Sequence, residues 1–86
     1  MPEVSRFYGI IIRMYFDDHA PPHFHAEYAE HEAVVDLEET RIIAGDLPAR
    51  AFSLVKEWTA LHQQELRTLW DNARHSRPLT KIEPLD

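Results

Sequence analysis

The stretch FYGIIIRMYFDDHAPPHFHAEY, Phe7 to Tyr28, decides the fold. Its first part, Phe7 to Phe16, is a run of aromatic and branched residues, which favours a strand over a helix. The run stops at Asp17-Asp18 and then at Pro21-Pro22, which read as a turn. His23 to Tyr28 then alternates apolar and polar residues and reads as a second strand. Residues two apart on a strand share a face. Phe24, Ala26 and Tyr28 therefore form one face of the second strand, and His23, His25 and Glu27 the other. On the first strand Tyr8, Ile10, Ile12, Met14 and Phe16 make the stronger apolar face, with Ile11, Arg13 and Tyr15 opposite. A hairpin through DDHAPP keeps both apolar sets together only in an equal-parity register. One such register sets Tyr15 opposite His23, Arg13 opposite His25 and Ile11 opposite Glu27. It gathers Arg13, Tyr15, His23, His25 and Glu27 on the face away from the core, with His19 in the connecting loop.

Working outward, Glu32 to Leu37 reads as a third strand, and Arg41 to Ala44 as a short fourth closed by Gly45-Asp46. The period then changes. Between Leu47 and Arg74, apolar residues fall at Ala51, Val55, Trp58, Leu61, Leu66, Leu69, Trp70 and Ala73, at the three- and four-residue spacings of one helix face. Asp46 followed by Pro48 suits a helix start, since proline is tolerated in the first turn. An unbroken helix over this span would be about 40 Å long at 1.5 Å per residue, more than a domain of this size can pack. A break is expected at His62-Gln63-Gln64. Trp58 and Trp70 fall among the apolar positions and read as core. The end, PLTKIEPLD, reads as an extended tail lying against the domain. Strands followed by helices indicate an α+β fold. The expectation is one domain over residues 1–86: an antiparallel sheet of three to four strands within 6–44, one kinked or two helices over 47–75 packed on one face, and a tail over 78–86.

The chain has 86 residues, no cysteine and a formal charge of −6. Disulfides, thiolate metal sites and cysteine nucleophiles are therefore excluded. No apolar run approaches the roughly 18 residues of a membrane span, and MPEVSRFYG lacks the layout of a signal peptide. The expectation is a soluble, cytoplasmic protein with no membrane association. Residues 1–47 hold three basic and ten acidic side chains, a net −7. Glu27, Glu30, Glu32, Asp36, Glu38 and Glu39 carry most of it, with no lysine or arginine among them. Such a field disfavours nucleic acid and favours a basic partner, unless it is only a solvated hairpin.

HAPPHFHAE, His19 to Glu27, admits three chemistries. Neutral imidazoles at His19, His23 and His25 could hold zinc, with Asp18 or Glu27 completing the set; no other cofactor is suggested. Alternatively His23 and His25 act as general acid and base, with Arg13 binding phosphate and Tyr15 assisting, as in a metal-independent ribonuclease whose substrate would be RNA. Third, the histidines pair with Asp17, Asp18 or Tyr15 and seal the hairpin. On that reading the outer face, which also carries Ile11, Val34 and Ile43, is an interface for a partner protein or a second copy in a homodimer.

SRFYGIIIRMYF, HAPPHFHAEY, EWTALHQQEL and KIEPL together resemble the domain of unknown function 4160 family of small bacterial proteins, over Ser5 to Leu85. PPHFHAEY is the most specific part. The resemblance implies no catalytic residue. Members of that family are often encoded beside a second small protein, in pairs that look like toxin–antitoxin modules. The resemblance therefore implies a small cognate partner encoded nearby and a toxin-like role.

Overall fold

The structure, a computed structural model, describes residues 3–16 and 19–86. Five strands come first: β1 (Glu3–Phe7), β2 (Ile10–Arg13), β3 (His23–Tyr28), β4 (His31–Asp36) and β5 (Arg41–Gly45). Two helices follow, α1 (Ala49–Leu61) and α2 (Gln63–Arg74). The strands form one antiparallel meander in the order β1-β2-β3-β4-β5. The fold is α+β, with five strands rather than three to four.

The extra strand comes from the run at Phe7–Phe16, which is not one strand. Tyr8 and Gly9 both have positive φ, 51° and 82°, as a two-residue hairpin turn whose twist matches its strands requires. The chain reverses there, and EVSRF becomes β1. Tyr8 thereby leaves the apolar face assigned to it and stands exposed, as does Phe16 beyond the end of β2. Between them the expected parity holds. Ile10, Ile12, Phe24 and Ala26 are fully buried, and β2 pairs with β3 through Ile11 opposite Glu27 and Arg13 opposite His25; the expected pair of Tyr15 with His23 is not formed, because β2 ends at Arg13 and the Tyr15 ring packs on His25 instead.

The helices cover the face that carries Ile10, Ile12, Phe24 and Val35. Trp58 of α1 is fully buried, with ring centroids 5.3 Å from Phe7 and 5.9 Å from Phe24. The helical region breaks at His62, whose φ of −126° ends α1 and precedes α2. The longest dimension of the molecule is 33 Å, so an unbroken rod would have protruded into water. The tail closes the edge at β1: Ile82 N–H donates to the Val4 carbonyl at 2.7 Å, and Trp58 Nε1 donates to the Glu83 carbonyl at 2.9 Å. Ile82 and Leu85 are buried in the same core. Gln63 Nε2 donates to the Leu37 and Glu38 carbonyls, and Arg67 grips the Glu38 carboxylate, so α2 is tied to the β4–β5 turn. Asp36 accepts from the Glu38 and Glu39 N–H groups and shapes that turn.

Candidate functional site

Strand alternation places Arg13 of β2, His25 and Glu27 of β3, and Glu32 and Val34 of β4 on the face opposite the helices. Arg6 and Glu3 of β1 lie opposite Ile11 and Arg13, and Ala44 of β5 lies opposite Val34. The open face therefore runs across all five strands.

Its charges are largely matched. Arg13 Nε donates to Glu27 Oε2 at 2.9 Å, with both side chains about a quarter exposed. Arg6 binds Glu3 through two nitrogens at 2.8 and 3.1 Å; this holds the Glu3 carboxyl below the usual carboxylate range and raises the Arg6 guanidinium. Around these pairs Ile11 and Val34 are half-buried, while Ala44 and Ile43 are exposed. Ile43 stands beside the register shift between Val34 and Val35.

At one end of this face the rings stack. Tyr15 meets His25 edge-on with centroids 4.4 Å apart, His23 lies 5.4 Å from His25, and Trp70 of α2 lies 5.1 Å from His23. His23 is buried, which corrects its expected place on a face remote from the helices. It opens β3, and a side chain at the rim of a sheet is within reach of an indole that overhangs the rim. His23 Nδ1 lies 2.7 Å from the Pro21 carbonyl oxygen. That oxygen can only accept, so Nδ1 carries the proton. Both ring nitrogens of His25 are shielded from solvent, and its Nδ1 stands 3.9 Å from Glu32 Oε2, beyond hydrogen-bond reach.

The structure thus brings Arg13, Tyr15, His25 and Glu27 together on the open face, as expected, while His23 joins them only through His25 and turns to Trp70. Arg13, assigned to phosphate, instead holds Glu27. Trp70, read only as core, also reaches into the group; helix periodicity marks a buried face but does not say which neighbour it meets. His19 lies exposed in the β2–β3 loop. Pairing with Asp17 or Asp18 falls outside the described residues. Among the described residues no group of three or more His, Asp or Glu side chains is arranged to hold a metal ion, and His19, His23 and His25 form no such group. No helix among the described residues is long and apolar enough to cross a membrane.

The family model described as Domain of unknown function (DUF4160) matches residues 9–71. No curated protein and no solved structure matches the chain.

Proposed function

This chain belongs to the DUF4160 family, and we propose that it is the partner-binding component of a toxin–antitoxin-like pair, acting in the cytoplasm through its open sheet face. One observation carries the reading: among the described residues a five-stranded sheet is covered by helices on one face, and the other presents Ile11, Val34, Ala44 and Ile43 around the ion pairs Arg13–Glu27 and Arg6–Glu3. Removing such a surface from water strands few unpaired charges, while its aliphatic centre favours contact with a partner.

The same geometry weighs against the ribonuclease reading. A general acid or base must come within hydrogen-bond reach of the reacting group, and the nitrogens of His25 are shielded. An arginine that clamps phosphate needs its fork available, and one of its donors, Nε of Arg13, is engaged by Glu27.

Co-expression with the adjacent small gene product tests the proposal. The expected result is a stoichiometric complex by size-exclusion chromatography, lost in the folded Val34→Glu variant. A complex that Val34→Glu leaves intact, or none at all, overturns it. Growth arrest on inducing this protein alone, relieved by a folded His23→Ala, His25→Ala double variant, would transfer the assignment to the ribonuclease reading. Stoichiometric zinc binding below micromolar concentration that the same variant loses would transfer it to zinc.

A further inference from the structure

A second site lies at the end of β3 away from His23 and is independent of the open-face reading. The β1–β2 turn, the end of β3 and the start of α1 enclose a cleft of about 230 Å³ lined by Tyr8, Tyr28, Pro48, Arg50, Ala51 and Leu54. The lining combines two aromatic rings, the apolar Pro48, Ala51 and Leu54, and the cation of Arg50.

Two independent features mark this cleft. The first is Tyr8. Its φ of 51° is a left-handed conformation that a bulky side chain rarely takes, yet the residue stays 57% exposed. Asparagine or glycine suits this turn position better, and burial does not repay the strain. Ala29, Thr40 and Ser76 take the same conformation at other turns, but they are small, so among the described residues a bulky, exposed ring at such a position is peculiar to Tyr8 and fits a ligand clamp. The second is Arg50. Among the described residues five of the seven arginines hold a carboxylate, namely Arg6, Arg13, Arg41, Arg67 and Arg77, and Arg74, the other arginine without one, lies at the far end of α2. Arg50 forms no ion pair among the described residues and lines the cleft instead. The first turn of α1 beside it has no side-chain cap and no acidic residue, so no carboxylate of that turn competes for the guanidinium.

We propose that this cleft binds a small organic carboxylate with an aromatic or apolar body. Arg50 takes the acid group through its planar fork, and the body lies against Tyr8, Tyr28 and Leu54. The size of the cleft limits that body to about one ring, since drug-sized ligands fill roughly 300–1,000 Å³. The chain's net charge of −6 favours a singly charged ligand over a nucleic acid. The chemistry is shared by a free aromatic acid and by the C-terminal residue of a polypeptide.

The experiment is a two-dimensional amide NMR titration of the full chain with N-acetylphenylalanine and, separately, its carboxamide. Saturable shifts are expected at Gly9, Arg50 and Ala51 with roughly millimolar affinity, and at least tenfold weaker binding for the carboxamide. Arg50→Gln should cost tenfold or more. Tyr8→Asn relieves the turn while removing the ring, so it should raise the thermal midpoint and still weaken binding. A capped tetrapeptide ending in phenylalanine separates the two sources: tenfold tighter binding indicates a polypeptide terminus, equal affinity a free acid. Equal binding of acid and carboxamide, unchanged binding by either variant, or no saturable shift up to roughly 20 mM overturns the proposal.

Discussion

On the face beneath the helices, Ile10, Ile12, Phe24, Ala26 and Val35 have lost all contact with water. One residue along the same strands, on the open face, Ile11, Arg13, His25, Glu27 and Val34 keep part of theirs. The backbone is common to both sets, so the difference lies in what covers each. Full burial of one large aliphatic side chain is worth about 1.5–3 kcal/mol, whereas a partly exposed ion pair is worth about 0–1 kcal/mol. Stability is therefore concentrated on the covered face. The open face can change its side chains at small cost to the fold, which suits a surface that recognises a partner.

The most severe way to break this contrast is Trp58→Ala. It removes the covered face's central ring and should cost about 3–5 kcal/mol, a large share of the roughly 5–10 kcal/mol such a domain possesses; urea unfolding would show the midpoint collapse. A smaller contrast compares two turn glycines. At Gly45, φ is +74° and an added Cβ would overlap the Glu32 carbonyl oxygen, so Gly45→Ala should cost about 3 kcal/mol from strain and overlap together. At Gly9, φ is +82° but the nearest atom to a Cβ is the Tyr28 ring at 3.5 Å, and Gly9→Ala should cost about 1 kcal/mol. Equal costs would show that backbone strain alone decides both.

On the open face, a double-mutant cycle of Arg13→Ala and Glu27→Ala should give a coupling of about 0.5–1 kcal/mol. A coupling near 3 kcal/mol would mean this face bears as much load as the covered one. The smallest effect is at Arg67. Its hydrogen bonds hold the Glu38 carboxyl below the usual carboxylate value. That stabilisation is present above about pH 4.3 and is lost as the pH falls through the lower folded value. Because both groups are well exposed, Arg67→Ala should lower the urea midpoint only slightly at pH 7. At pH 2 its urea midpoint should match that of the parent.

Strand parity was legible wherever side chains alternate, as at Phe24, Ala26, His25 and Glu27, because the pleat alone sets which way they point. The helical break at His62 was legible from the length of the apolar stripe set against the size of the domain. The hairpin at Tyr8-Gly9 was missed, since one glycine inside a strongly strand-forming run gives a weaker signal than the flanking isoleucines. Trp70 against His23 was not legible, because it joins a helix to a strand rim whose meeting depends on how separate segments pack; for Arg13 and Glu27 parity gave the shared face but not the bond between them.

By itself the sequence determined the α+β class, the β2–β3 register at Ile11 and Arg13, a break in the helical region and the gathering of Arg13, His25 and Glu27 on one face, since these follow from local period and turn chemistry. Only the tertiary structure decided that His25 is shielded, that Arg13 is already engaged, and that Tyr8, Tyr28 and Arg50 line one cleft. Those outcomes depend on contacts between segments far apart in the chain, and short-range pattern carries no record of them.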